Sequence, residues 1–130
     1  MFRRKKTESF TLVSLSVSSM RNREIYEITD GGDRAVLKLY TGFFARDEKP
    51  EPDKEATCDK ESIIRLLNDC DVLSWDGFSG KNPRGVRDGY MFTFKAELNG
   101  GTKVYASGSN NFPKHYRELR DNIIQILNGR

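Results

Sequence analysis

Residues 88–108 read DGYMFTFKAELNGGTKVYASG, and this stretch decides the fold. Tyr90, Phe92, Phe94, Ala96 and Leu98 alternate with Met91, Thr93, Lys95 and Glu97. That is the period of a half-buried strand. Asn99-Gly100-Gly101 interrupts it, and a second strand begins at Thr102. A two-residue loop would set Ala96 opposite Lys103 and Phe94 opposite Tyr105. A three-residue loop sets Leu98 opposite Thr102, Ala96 opposite Val104 and Phe94 opposite Ala106. It also places Glu97 across from Lys103 on the other face. The second register keeps small and apolar residues together and pairs opposite charges, so it is the one expected. A glycine in the left-handed region completes such a turn, and the loop offers two.

Downstream of the hairpin, Ser109-Asn110-Asn111-Phe112-Pro113 makes a corner. Pro113 suits the first turn of a helix, where its missing N–H costs nothing. Tyr116, Leu119, Ile123, Ile126 and Leu127 mark that helix's buried face, and Gly129 ends it.

Upstream, residues 9–18 alternate, with Thr11, Val13, Leu15 and Val17 on one side and mostly serines on the other. A second strand spans residues 23–29, with Glu24, Tyr26 and Ile28 facing opposite to Ile25 and Glu27. Asp30-Gly31-Gly32-Asp33 is a strong turn. A third strand, residues 34–40, carries Ala35, Leu37 and Leu39. Residues 41–55 are expected to be a surface connection, because 46–55 hold two prolines and almost nothing apolar. A helix over residues 59–70 carries Ile63, Leu66, Leu67 and Cys70 on one stripe, with Thr57 or Asp59 as its cap. Val72 and Leu73 suggest a short strand.

The expected fold is therefore α+β. An antiparallel sheet, made of a three-strand meander and a C-terminal hairpin, packs with two helices in the order β-β-β-α-(β)-β-β-α. Residues 1–8 read as a basic, disordered tail and 9–130 as one domain, which 130 residues readily support.

Net charge is +3, and Arg3, Arg4, Lys5 and Lys6 supply it. Without those four, eighteen basic residues face nineteen acidic ones. A near-neutral body argues against nucleic acid as a partner. No apolar run approaches the ~20 residues that span a bilayer. The N-terminal segment contains an acid and alternates, unlike a secretion signal, so the expected location is cytoplasmic. Cys58 and Cys70, placed near the two ends of the first helix, would lie roughly 18 Å apart and stay unlinked. No Cys/His cluster or glycine-rich phosphate loop is present, so no metal or cofactor is expected.

At Trp75-Asp76-Gly77-Phe78, Asp88-Gly89 and Gly108-Ser109-Asn110-Asn111-Phe112-Pro113 the chain resembles a group of small, uncharacterised bacterial proteins. Their pattern is a helix, a Trp-Asp/Asn-Gly-Phe/Trp element, a hairpin opened by Asp-Gly, then Gly-x-Asn-x-Tyr/Phe-Pro and a helix. The likeness spans residues 10 to 127. It implies the architecture above and, since that group has no assigned activity, no mechanism.

Trp75, Asp76, Asn110 and Asn111 form the constellation most open to chemistry. As a site, an aromatic platform with amides and a carboxylate would hold a small polar ligand. As structure, Trp75 packs a corner, Asp76 accepts turn N–H groups and an asparagine caps the last helix. The structural reading is preferred. His115, the only histidine, lacks a marked nucleophile nearby. Lys81, Arg84 and Arg87 offer electrostatic contacts only. The function read from sequence is a non-catalytic binding or accessory module, with a protein partner or self-association open. Alternatives are a small polar-ligand binder or minor enzyme at the Trp75/Asp76/Asn110 corner, and a weak electrostatic binder of nucleic acid or anionic membrane.

Overall fold

The computed structural model describes residues 6–19, 23–42, 51–80, 91–109 and 111–129. Its strands are β1 (Phe10–Ser18), β2 (Arg23–Asp30), β3 (Ala35–Thr41), β4 (Lys54–Cys58), β5 (Ser79–Gly80), β6 (Met91–Leu98) and β7 (Thr102–Ser109). The helices are α1 (Lys60–Asp69) and α2 (Tyr116–Leu127). The sheet order is β4-β3-β2-β1-β6-β7-β5, antiparallel throughout except where the two residues of β5 run parallel to β7.

The hairpin takes the three-residue register, with Ala96 opposite Val104 and Glu97 opposite Lys103. Asn99 and Gly100 both have positive φ. Asparagine tolerates that backbone, and here its side chain adds a reason. Asn99 Oδ1 accepts the amides of Glu8 and Ser9, and Nδ2 donates to the Lys6 carbonyl. Thr7 is buried beside them, bonded through its amide and carbonyl to Asn68 of α1. Lys6 to Glu8 thus run against the domain, and the rest of the basic tail lies outside the described residues. Asn99→Gly keeps the turn but deletes the clamp. It should cost about 1 kcal/mol, with faster hydrogen exchange at Glu8 and Ser9 as the signature.

One sheet face carries the core. Val13, Leu15, Val17, Tyr26, Ile28, Leu37, Phe92, Phe94, Ala96, Leu98, Val104 and Ala106 meet Ile63, Leu66 and Leu67 of α1 and Leu119, Ile123 and Leu127 of α2 in one cluster. The register shifts between Phe10 and Leu12, so Phe10 turns inward opposite Leu98 and Thr11 is exposed. This bulge replaces the inward Thr11 expected from strict alternation. The opposite face is mixed: Leu12, Ile25, Val36 and the buried Tyr40 share it with a charged row. Across one row lie Glu55, Lys38, Glu27, Ser14, Lys95 and Tyr105, and Tyr105 is 51% exposed.

Three expectations need correction. Lys54–Cys58, read as part of a surface connection, is strand β4 on the sheet edge beside β3. Cys58 closes that strand rather than opening a helix; both cysteines are free. Residues 72–75 form a 3-10 turn instead of a short strand, entered through Asp71 in the left-handed region. Asp59 is the α1 N-cap residue, and its carboxylate takes the Ser62 hydroxyl rather than a backbone amide. No helix among the described residues is long and apolar enough to cross a membrane.

Candidate functional site

Residues 75–80 lie along the outer edge of β7. Asp76 Oδ1 accepts the Tyr105 amide at 3.0 Å, the Gly77 amide donates to the Tyr105 carbonyl and the Ser107 amide donates to the Phe78 carbonyl. Asp76 therefore satisfies an edge N–H of β7, where turn N–H groups were expected. Trp75 is 2% exposed. Its ring meets Phe94 edge to face at 4.9 Å, and its Nε1 donates to the Lys114 carbonyl at 3.1 Å. The indole joins α1, the hairpin and the entry to α2 rather than standing open as a platform.

The entry to α2 differs from the expected cap. Pro113 is buried and precedes the helix, accepting the Tyr116 amide in a turn. His115 is the N-cap residue with φ 69° and makes no side-chain cap. Asn111 is exposed, and Asn110, Lys81, Arg84 and Arg87 lie outside the described residues. The Trp75 corner keeps a depression of about 250 Å³ lined by Trp75, Phe78, Phe112 and His115 among others.

A larger cleft of about 550 Å³ opens on the other side of the α2 entry. Val17 of β1, Ser19 just past it and Glu24 of β2 line one side, and Phe112, Pro113, His115, Tyr116, Arg117 and Arg120 line the other from the corner and helix. Its floor is a polar cluster. Glu24 sits on the core face of β2, two residues before Tyr26, whose hydroxyl donates to it. Arg120 Nη2 donates to the same carboxylate oxygen at 3.2 Å, and its guanidinium lies 5.9 Å from the Tyr26 ring centre. Arg120 Nε is buried without a partner. One wall is aromatic, with Phe112 stacked on Tyr116 at 4.4 Å and Phe92 behind both.

This cluster titrates in a way that can be checked. Burial raises the Tyr26 hydroxyl well above its ordinary value, and the hydrogen bond to Glu24 adds to this. Burial pushes Tyr116 up to about 12 from 10.0, with Arg120 opposing and Glu24 reinforcing. The fold thus prefers both phenols neutral. Their contribution to stability is complete below pH 10 and is lost as pH rises from 10 towards 12. Urea unfolding across that window should show a falling midpoint. Tyr116→Phe, which removes one of the two titrations, should flatten the fall.

Nucleophilic chemistry finds little support. Glu118 Oε2 lies 3.7 Å from the Cys70 thiol and 3.5 Å from His115 Nδ1. The Cys70 side chain is fully buried, and burial followed by Glu118 pushes the thiol up to about 12. A thiolate nucleophile requires the reverse. Among the described residues no His, Cys, Asp and Glu group has the makings of a metal site.

No family model, curated protein or solved structure matches the chain.

Neither Glu24 nor Arg120 was singled out from sequence. The signal was present: Glu24 shares the inward face of β2 with Tyr26 and Ile28, and Arg120 follows Tyr116 by four residues. Charged residues at inward positions are the pattern that would have found this cleft.

Proposed function

We propose that the chain is a non-catalytic binding module whose cleft takes a small planar acid, a carboxylate carried on an apolar or aromatic frame. The observation that carries this reading is the composition of the 550 Å³ cleft. Arg117 and Arg120 outnumber the single acid Glu24, beside the Phe112/Tyr116 wall. Guanidinium groups favour carboxylates through forked hydrogen bonds, and a ring adds apolar contact along the wall. The floor is already paired through Glu24 and Arg120, so it stays rigid while Arg117 remains on the rim. The Trp75/Asp76 corner, the alternative site, has its indole and carboxylate engaged in the fold, which favours the cleft over it.

The test is a chemical-shift titration with 2-naphthoate and its uncharged isostere 2-naphthamide. Naphthoate should move the amides of residues 112–120 at millimolar concentration or below, and the amide should bind at least about tenfold more weakly. Arg117→Ala should weaken naphthoate by a similar factor while leaving the fold intact. Equal response to both probes would refute an acid site, and silence from both would refute the cleft as a ligand site.

A further inference from the structure

The chain contains two Asn-Gly pairs, Asn99-Gly100 and Asn128-Gly129. A glycine has no Cβ to block its backbone nitrogen, which is therefore free to attack the preceding asparagine side chain. The nitrogen gives up its proton and bonds to Cγ, ammonia leaves, and a succinimide ring forms. Solvent water then opens the ring at one of its two carbonyls. The product is aspartate, or isoaspartate when the main chain is rerouted through the side chain. The sum is amide plus water giving acid plus ammonia.

The fold treats the two pairs in opposite ways. At Asn128 the attacking nitrogen is held, because the Gly129 amide donates to the Ile126 carbonyl at 3.0 Å. At Asn99 the nitrogen is open. The Gly100 amide has no hydrogen-bond partner among the described residues, and both residues of the pair are exposed. Here the side chain is held instead. Asn99 Oδ1 accepts the Glu8 amide at 2.7 Å and the Ser9 amide at 3.1 Å, and Nδ2 donates to the Lys6 carbonyl at 3.1 Å. The clamping segment is itself anchored away from the turn. The buried Thr7 donates its amide to Asn68 Oδ1 at 2.8 Å, and its carbonyl accepts Asn68 Nδ2 at 2.9 Å.

We infer that Asn99 is a site of spontaneous modification, and that docking of Lys6–Ser9 gates its conversion to aspartate or isoaspartate. While the segment is docked, Cγ cannot turn towards the Gly100 nitrogen without breaking three hydrogen bonds. Once it lifts, an exposed and unbonded nitrogen stands beside a free side chain. The product then acts back on the gate. Either acid lacks Nδ2, so the Lys6 carbonyl loses its donor and meets an oxygen. Isoaspartate also lengthens the turn that sets the hairpin register. A transient lifting is thereby made permanent, in the segment that follows Arg3, Arg4 and Lys5. None of Lys6, Thr7, Glu8, Ser9, Asn68 and Asn99 lines the cleft, so the inference stands apart from the acid-binding reading.

The full chain, kept in mildly alkaline buffer, tests it by peptide mapping of the amide-to-acid mass change at Asn99 and Asn128. A free peptide of residues 96–103 supplies the ungated rate. Three hydrogen bonds of ordinary strength should slow Asn99 about a hundredfold against the peptide. Asn68→Ala removes the anchor of Thr7 and leaves the turn, with its Asn99 φ of 52°, as it is. It should speed conversion at Asn99 about tenfold and leave Asn128 unchanged. Converted protein, separated by charge, should exchange its residue 8 and 9 amides faster than the unconverted form. Conversion of Asn99 at the peptide rate would overturn the proposal. So would a rate indifferent to Asn68→Ala, which would make the turn backbone the gate, or an equal acceleration at both sites, which would mark general loosening. Unchanged amide exchange in the converted form would remove the effect on docking and overturn it equally.

Discussion

Trp75→Ala should lower stability by about 3–5 kcal/mol, the cost of deleting a large buried aromatic. The indole is 2% exposed, faces Phe94 and holds the Lys114 carbonyl, so its loss leaves a cavity and an orphaned acceptor together. For a domain of this size the melting temperature should fall by roughly 10–20 °C. Trp75→Phe separates the two parts. It keeps a ring against Phe94 but deletes the N–H, and should cost about 1–2 kcal/mol. A Trp75→Ala melting temperature within a degree or two of wild type would sink this account and return the corner to the list of ligand sites.

Gly108→Ala should be the more damaging of the small substitutions, at about 3 kcal/mol. A Cβ at Gly108 would overlap the Asn111 carbonyl oxygen and come within 2.7 Å of Phe92 Cε1. The first obstacle is backbone and cannot rotate away, so overpacking here sits at the upper end of its usual range. Gly108 pairs with Phe92 across the hairpin and with Gly80 across the parallel edge, so a shift would reach three strands. Ser107→Ala, one residue earlier, should change stability by less than about 0.5 kcal/mol. Comparable urea midpoints for the two variants would show that the close approach at Gly108 has room to relax.

What the sequence made legible follows from how local the signal was. The 99–101 turn was readable because five alternating apolar residues and one Glu97/Lys103 pair all agree on a register. β4 was not, because Lys54–Cys58 is a short edge strand whose apolar inward residues are only Ala56 and Cys58, small and half-buried, too weak an alternation to stand out after a run of charges and prolines. The helix entry misled for a different reason. Pro113 fits a first turn, yet it is used one turn earlier, and the left-handed His115 starts the helix instead. A backbone choice of that kind, set by packing around Phe112 and Tyr116, has no composition signal. The Glu24–Arg120 cluster was missed because its members come from opposite halves of the chain.

The position of β1 at the centre of the sheet has a consequence for folding. Its pairing with β2 is local, but Val13 meets Ala96, eighty-three positions later. During synthesis β1 to β4 can assemble early, while one long edge of β1 waits for β6. At translation rates of 5–20 residues per second that wait lasts about 4–17 s. The serines on one side of β1 leave that edge less prone to joining other nascent chains than an all-apolar strand would be. Closure of the sheet then depends on contacts of long sequence separation, which places refolding on the millisecond-to-second scale rather than the microsecond one.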